Sequence, residues 1–154
     1  MNRKGFTLIE LLVVITILGV MASLITGNFF ASLKKGRDAK RKADLQQVQQ
    51  ALEMYYEDKK VYPPTLNFGS NLTDSVSGKV YMQKLPKDPK SGNYEYEVDV
   101  NGTYYKLYSC LENDQQTLPY VSVPGSYTCD QNCKDKEDNT VSCIWGVSSP
   151  NTNP

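Results

Sequence analysis

The chain has 154 residues, with 17 basic side chains against 17 acidic ones and no histidine. This length suits one domain with an anchor rather than two domains, and the balanced charge excludes a dedicated nucleic-acid binder, which carries a strongly basic face. The lack of histidine excludes the common histidine-based acid–base and metal sites.

The N-terminal segment is apolar apart from one acidic residue, Glu10. No charged side chain lies between Leu11 and Leu33. A run of this length is sufficient for a membrane-spanning helix, which needs about 20 mainly apolar residues. A carboxylate inside such a run costs free energy, and it therefore indicates a function with a specific cationic partner.

The segment Lys4–Ile15, with the sequence KGFTLIELLVVI, resembles the processing and membrane motif of type IV pilins and type II secretion pseudopilins. The resemblance implies that a prepilin peptidase cuts between Gly5 and Phe6 and methylates the new amine of Phe6. It also implies that Glu10 is the glutamate used in filament assembly.

This motif predicts a charge pair between subunits. Cleavage leaves a protonated amine on Phe6, and Glu10 lies one helical turn deeper on the same side of the helix. A neighbouring subunit displaced along a filament would bring its own amine beside Glu10. Each charge would then compensate the other in a low-dielectric setting.

Two simpler interpretations compete with this one. An ordinary secretory signal peptide has an apolar core of about 7–15 residues, whereas here the small residues Ala22 and Ser23 are followed by more apolar sequence. A plain single-span anchor explains the length and the leading Arg3 and Lys4. It does not explain the position of Glu10.

A single long helix is predicted from about Phe6 to Lys59. No proline occurs from residue 28 to residue 60, and the second half is amphipathic. Its apolar residues recur at spacings of three and four, as on one face of a helix; they are Leu45, Val48, Leu52 and Tyr55.

Gly19 and Gly27 interrupt the apolar half of this helix. Each costs about 1 kcal/mol of helix stability relative to alanine. The resemblance to pilins implies that the segment between them loses helicity during assembly, so both are candidates for helix melting. The family usually has proline where this chain has Gly27. An alternative is that Gly19 permits close helix approach, as small residues do in membranes.

Lys34–Lys42 contains six basic residues and one acidic residue. Just outside an apolar span, these charges suit anionic lipid headgroups. In a filament they suit acidic groups of a neighbour, for which Asp44, Glu53 and Glu57 are candidates. A solvated helix face is the simpler interpretation for most of them.

Val61-Tyr62-Pro63-Pro64 ends the helix, since proline disfavours helical geometry before it. Residues 65–93 are rich in turn formers and are predicted to form a loop with at most one short helix. Within the loop, Leu85-Pro86-Lys87-Asp88-Pro89 resembles the stretch before the sheet in the major, G-type pseudopilins. That resemblance implies that the stretch braces the loop against the sheet; Lys90 replaces the usual tryptophan.

The head is predicted to be a small antiparallel sheet. Residues 94–100 alternate between apolar and acidic side chains, and Asn101-Gly102 is a strong hairpin signal. Thr103–Cys110 is the predicted partner strand. A third strand is predicted in either Pro119–Val123 or Val141–Trp145.

All four cysteines lie in the last third of the chain, and an extracytoplasmic location favours disulfides. Four cysteines allow three pairings. We favour Cys110 with Cys129 and Cys133 with Cys143, although nested pairings are equally possible. A four-thiolate zinc site is the alternative, but the spacing lacks the close pairs of common zinc motifs.

The acidic C-terminal stretch contains calcium candidates, as the C-terminal loops of G-type pseudopilins do: Asp130, Asp135 and Asp138. The stretch does not fit an EF-hand loop, and a solvated loop is the simpler interpretation. We therefore expect no resident cofactor other than a possible calcium ion.

The resulting prediction is an α+β, pilin-like chain shaped like a lollipop, with a long N-terminal helix on a small antiparallel sheet. Its predicted segments are a leader peptide (1–5), a transmembrane and assembly helix (6–28), an amphipathic helix of the head (29–60), a loop between helix and sheet (61–93), and a sheet with the disulfide-bearing C-terminal region (94–154).

The predicted function is that of a structural, non-enzymatic subunit of a type IV pilus-like filament, either a pilus or a type II secretion pseudopilus. Its expected partners are copies of itself or other pilins, a prepilin peptidase, the membrane platform and assembly ATPase of the machine, and the cytoplasmic membrane, with no specific nucleic acid. It would reside in the inner membrane before assembly and in an extracellular pilus or cell-envelope pseudopilus afterwards. The alternative is a single-span, membrane-anchored extracellular module that binds a ligand.

Overall fold

A computed structural model describes residues 5–90, 92–118, 127 and 129–152, with residues 24–28 described as backbone only. The chain divides into two compact units, Met1–Lys34 and Lys35–Pro154. In chain order its elements are α1 (Leu8–Lys59), β1 (Leu72–Thr73), β2 (Val80–Met82), β3 (Glu95–Val98), β4 (Tyr105–Cys110), β5 (Asn132–Lys134), β6 (Thr140–Ser142) and β7 (Ile144–Ser148).

The first unit is helical from Leu8 onward and buries none of its large apolar side chains that the structure describes. Two hydroxyls inside the helix are satisfied by carbonyls one turn back: Thr16 donates to Val13 at 2.8 Å and Ser23 to Val20 at 2.7 Å. The helix runs through both predicted glycine positions without a break. The exposed apolar residues include Phe6, Leu8, Ile9, Leu11, Leu12, Ile15, Ile17, Leu18, Val20, Met21, Phe29 and Phe30.

The sequence predicted a membrane-spanning helix over residues 6–28. No helix in the described part of the chain combines the length and the apolarity that a membrane crossing requires.

In the second unit, the helix contributes the predicted apolar stripe to the main core. Its stripe residues Leu45, Val48 and Leu52 are fully buried, and Tyr55 packs against the same core from its edge. The helix ends at Lys59, and Lys60 follows in a left-handed conformation, with φ of 60°. Helix and sheets therefore share one core, as the predicted α+β class requires.

The prediction of a loop with at most one short helix over residues 65–93 is wrong in one part, because β1 and β2 form an antiparallel hairpin there. The turn is organised by Asp74, whose carboxylate accepts the backbone N–H groups of Val76 and Ser77, each at 3.1 Å. Gly78 adopts φ of +70°, which favours glycine. Lys59 pairs with Asp74 at 2.8 Å and ties the turn to the helix.

The main sheet is antiparallel with strand order β3-β4-β7. The predicted hairpin at Asn101-Gly102 is present, with Gly102 at φ of +66°. The Gly102 carbonyl accepts the N–H of Tyr62 at 2.8 Å, so the turn also closes over the end of the helix. The predicted alternation ends early, since β3 stops at Val98 and Val100 is fully exposed.

The third strand of the main sheet is β7, which extends three residues beyond the predicted range Val141–Trp145. That range is divided between β6 and β7 at Cys143, whose N–H donates to Gln131 and whose carbonyl accepts the N–H of Leu111. These bonds direct residues 140–142 toward β5 rather than β4. The other candidate range, Pro119–Val123, lies outside the described residues.

A second, smaller core lies beyond β4, around the hairpin of β5 and β6. It consists of Leu111, Leu118 and the disulfide Cys133–Cys143, which is fully buried. The second disulfide joins Cys110 to Cys129. Both bonds match the favoured pairing, and together they include all four cysteines.

We expect the disulfide Cys133–Cys143 to carry much of the stability of this second core. Replacing both cysteines with alanine should lower the free energy of unfolding by about 2–5 kcal/mol, since the unfolded chain gains entropy and the core loses its buried bridge. Chemical unfolding of the full chain in detergent, followed by the fluorescence of Trp145, measures this change.

The matched control replaces Asn132 and Ser142 with alanine, since these residues face each other across the same hairpin. We expect this change to stay within about 0.5 kcal/mol per residue. Equal stability of the cysteine variant and the wild type would contradict a structural role for the bridge.

Candidate functional site

The candidate assembly site lies at the start of α1 and is built from Thr7 and Glu10. The N–H and the hydroxyl of Thr7 both donate to Oε2 of Glu10, at 3.1 Å and 2.9 Å. In return, the N–H of Glu10 donates to the Thr7 hydroxyl at 3.3 Å. This reciprocal arrangement is a capping box, which satisfies N–H groups that the first turn of a helix otherwise leaves unpaired.

Thr7 is the residue of this site that sequence reasoning missed. The spacing of a threonine and a glutamate three residues later, ahead of an apolar run, is the recognised signature of the box. Glu10 was interpreted only through its charge, but it also fixes where the helix begins. The carboxylate therefore has a structural partner within its own chain.

The predicted cleavage site precedes this cap in non-helical chain. Gly5 has no neighbour within 4 Å of where a side chain would begin, so packing within the chain does not require glycine there. Phe6 is 82% exposed. The bond between them is thus accessible, and the residues that form the cap all lie on its C-terminal side.

The two predicted melting positions are Gly19, whose surroundings the structure describes, and Gly27, which it describes as backbone only. Gly19 also has open space around it, with no atom within 4 Å of the point where a side chain would begin. Gly27 lies within α1 as backbone. Melting of the helix at either glycine stays a prediction.

The basic segment Lys34–Lys42 contains a buried ion cluster centred on Arg41. The expectation of a solvated face holds for Lys34, Lys35 and Lys40, which are exposed, and is wrong for Asp38 and Arg41. The Arg41 guanidinium bonds to Asp88 at 2.5 Å and 3.1 Å, to Asp38 at 2.8 Å and to Glu112 at 2.8 Å. Only 3% of its side chain is exposed. Arg37 adds a two-bond contact to Glu112, at 2.8 Å and 2.6 Å.

Asp38 extends this cluster to the chain that follows β4. Its carboxylate accepts the backbone N–H groups of Glu112 and Asn113 and the side-chain amide of Gln116, each at 2.9 Å. A buried carboxylate is tolerated only when its charge and hydrogen bonds are compensated. Asp38 meets that condition through Arg41 and these three donors.

Two of the acidic residues suggested as partners for a neighbour are used within the chain instead. Glu53 accepts the hydroxyls of Tyr62 and Tyr105, each at 3.0 Å, and Asp44 accepts that of Tyr94 at 2.8 Å. Burial, followed by these carboxylates, raises the pKa of all three tyrosines, so the hydroxyls remain donors. The other suggested residue, Glu57, is exposed and pairs with Lys60.

Two protein-family models match this chain. Residues 1–26 match the model of the prokaryotic N-terminal methylation motif, and residues 28–118 match the model of type II secretion system (T2SS) protein G. The chain belongs to the type II secretion system protein G family. The predicted resemblance to type II secretion pseudopilins is therefore confirmed, and the alternative of an anchored ligand-binding module is not favoured.

Curated relatives agree with this assignment, and each is a type II secretion system core protein G. The chain is 34% identical to that of Vibrio cholerae over 103 residues, which cover 62% of this chain and 70% of the relative. It is 33% identical to that of Escherichia coli over 119 residues, covering 71% and 80%. For that of Pseudomonas aeruginosa the values are 31% over 117 residues, covering 70% and 82%. No solved structure is significantly similar to the chain.

The protein G match ends at residue 118, before three of the four cysteines. The hairpin of β5 and β6 and the disulfide Cys133–Cys143 are therefore outside the part that the family model matches. Within the matched part, Asp88 of the Leu85–Pro89 stretch binds Arg41 of the helix. This stretch thus braces the loop against the helix, whereas the resemblance implied the sheet.

The calcium candidates lie in the C-terminal region beyond the family match. Asp135 accepts the N–H groups of Glu137 and Asn139, at 2.8 Å and 2.9 Å, which organises a tight turn. Asp138 lies 3.6 Å from the ammonium group of Lys134. The residues that the structure describes contain no group of three potential metal ligands. Calcium binding by Asp130, Asp135 and Asp138 stays an untested prediction.

We expect Arg41 to be essential for the stability of the second unit. Its replacement by methionine removes the cation shared by Asp38, Asp88 and Glu112, and loss of one partner from a buried ion cluster typically costs about 3–5 kcal/mol. Denaturant unfolding of the full chain in detergent at pH 7 measures the loss. The exposed neighbour Lys40, changed to methionine as the matched control, should alter stability by less than about 0.5 kcal/mol; equal effects of the two variants would refute the role of Arg41.

Glu112 should make stability depend on acid pH. Hydrogen bonds from Arg37 and then Arg41 lower the pKa of Glu112 from 4.5 to about 2. The ionised form therefore stabilises the fold above pH 4.5, and this contribution is lost as the pH falls from 4.5 to 2.

The Glu112→Gln variant tests this linkage. At pH 7 it should be less stable than the wild type by about 2 kcal/mol, because charge-assisted hydrogen bonds contribute about 1.5–3 kcal/mol. The difference should shrink toward pH 2, as measured by unfolding at several pH values. Glu95→Gln, an exposed carboxylate on β3, serves as the control. A difference that stays constant with pH would contradict the linkage.

Proposed function

We propose that the chain is cleaved between Gly5 and Phe6 and then serves as a structural subunit of the type II secretion pseudopilus. In this proposal its N-terminal helix first anchors the subunit in the cytoplasmic membrane and then forms part of the filament core. A prepilin peptidase would cut the leader and methylate the amine of Phe6. The membrane platform and the assembly ATPase of the machine would supply the energy for filament growth.

The observation that carries the proposal is the exposure of the apolar N-terminal segment. Leu8 is 88% exposed, Ile9 65% and Leu18 58%, although each belongs to a regular helix. An apolar surface of this extent requires a membrane or other subunits to cover it. In this proposal the helix is first surrounded by lipid. When the filament forms, identical helices of other subunits replace that lipid.

The geometry of Glu10 suits a second role in addition to capping. Both Thr7 donors use Oε2 of Glu10, and within the described residues Oε1 accepts no hydrogen bond, so it can receive a cation from another molecule. The amine created on Phe6 of a neighbouring subunit is such a cation. The cap lies wholly after the cleavage site, so removal of the leader creates the amine without disturbing the carboxylate that receives it.

The second unit supports a structural role rather than catalysis. In the main cluster of buried ionisable groups, Asp38 and Asp88 both pair with Arg41. Head-to-tail contacts between identical subunits that do not close into a ring produce a helical filament. We propose that the second unit lies on the outside of such a filament in the cell envelope.

Substitution of Glu10 tests the proposal. Glu10→Leu should be processed normally, as judged by an intact mass that begins at Phe6, but filament yield should fall by more than about a hundredfold. Loss of one partner of a buried charge pair costs about 3–5 kcal/mol, and each 1.4 kcal/mol corresponds to a factor of about ten. The measurement is the amount of subunit in filaments sedimented from gently lysed cell envelopes per amount of processed subunit.

Glu10→Gln separates the charge from the cap. Glutamine preserves the capping box but carries no charge, so the proposal predicts that it fails in assembly as Glu10→Leu does. Glu95→Gln, which removes an exposed carboxylate from β3, is the control and should assemble normally. Normal assembly of Glu10→Gln would show that only the cap matters and would refute the charge pair.

A further inference from the structure

Two tripeptides in the second unit fit the acceptor pattern for N-linked glycosylation, in which asparagine is followed two residues later by serine or threonine. They are Asn71-Leu72-Thr73 and Asn101-Gly102-Thr103. The pattern alone is short and occurs often by chance. The structure distinguishes the two, because a transferase must reach both the asparagine amide and the hydroxyl of the third residue.

The tripeptide at Asn101 lies at the exposed tip of the hairpin between β3 and β4. Asn101 and Thr103 are both exposed, and Gly102 between them packs its backbone against Tyr62. A side chain added at Gly102 would begin 3.1 Å from the Tyr62 carbonyl oxygen. The middle residue is therefore turned toward the protein, and the two flanking residues are presented to solvent.

Asp99 holds this tip in a fixed conformation. Its carboxylate accepts the backbone N–H groups of Asn101 at 3.2 Å, of Tyr104 at 3.3 Å and of Thr103. These bonds use the backbone of Asn101 and leave its side-chain amide in solvent. The side chain of Asn101 is thus accessible in the folded protein, and the hydroxyl of Thr103 lies at the surface, where it also bonds to Asp99.

The tripeptide at Asn71 has the opposite character. Its middle residue, Leu72, belongs to the main core and is 6% exposed. The hydroxyl of Thr73 is buried in β1 and has no hydrogen-bond partner in the described structure. Access to that hydroxyl would require the hairpin of β1 and β2 to open.

We propose that Asn101 is an acceptor for an N-linked glycan transferred from a lipid-linked oligosaccharide. Nδ2 of Asn101 forms a bond to C1 of the first sugar, while the bond between C1 and the phosphate oxygen of the lipid carrier breaks. The carrier leaves as its phosphate or pyrophosphate, and one amide proton passes to a base of the transferase. The proposal rests on the extracytoplasmic location of the second unit given under Proposed function.

The test is mass spectrometry of the full chain isolated from native membranes and from filaments sedimented from cell envelopes. We expect a population whose mass exceeds that of the chain by an oligosaccharide, with the sugar on the peptide that contains Asn101. Asn101→Gln and Thr103→Ala should each abolish the added mass completely. Thr103→Ser, which keeps the hydroxyl, and Asn71→Gln, which changes the buried tripeptide, should both retain it.

The same spectra separate this proposal from the proposed function. A chain that begins at Phe6 but carries no sugar would overturn the glycan and leave the filament role intact. A chain that begins at Met1 and carries the sugar on Asn101 would overturn the proposed processing and leave the glycan intact, because glycosylation depends on the location of the second unit and not on removal of the leader. Sugar on Asn71 alone, or hydrolysis of Asn101 to aspartate without sugar, would also overturn the proposal.

Discussion

The structure of the second unit depends on one buried guanidinium. Arg41 connects the helix to Asp88, in the stretch before the sheet, and to Glu112, immediately after β4. Buried ion pairs rarely add net stability over an apolar core of the same volume, because both charges must leave water. Here the ion pairs fix the register in which the helix packs. Only one turn of the helix can face residues 88 and 112, since any other register would leave charges unpaired.

The need to pair buried polar groups also determines how the helix packs on the sheet. Its core face combines apolar residues with carboxylates that receive tyrosine hydroxyls, as Glu53 does from Tyr62 and Tyr105. A tyrosine ring fills the core while its hydroxyl requires a partner when buried. Carboxylates on the helix supply these partners at defined positions. Asp44 and Glu53 thereby belong to the fold, and contacts between subunits must use other residues.

The features that the sequence predicts well are those with a strong local signal. The apolar spacing of Leu45, Val48 and Leu52 and the Asn101-Gly102 turn each depend on residues close together in the chain. The Arg41 cluster could not be predicted, because Asp88 and Glu112 lie 47 and 71 positions away from it in sequence and nothing local links them. The charge pattern of Lys34–Lys42 alone resembles that of a solvated helix face. The hairpin of β1 and β2 was missed because its strands have only two and three residues, too few to show a period.

The capping box at Thr7 and Glu10 has a local sequence signal, so it could have been predicted. It was missed because Glu10 was interpreted through its charge alone. Its position explains why cleavage and assembly are compatible. Every group of the box follows Gly5, so the proposed removal of the leader would leave all of them in the chain. Removal takes away Arg3 and Lys4, which leaves 15 basic side chains against 17 acidic ones, and adds an amine at Phe6. The proposed processing would therefore change the charge at the helix terminus and keep every group of the cap. An irreversible step of this kind would make a subunit competent for assembly without requiring it to refold.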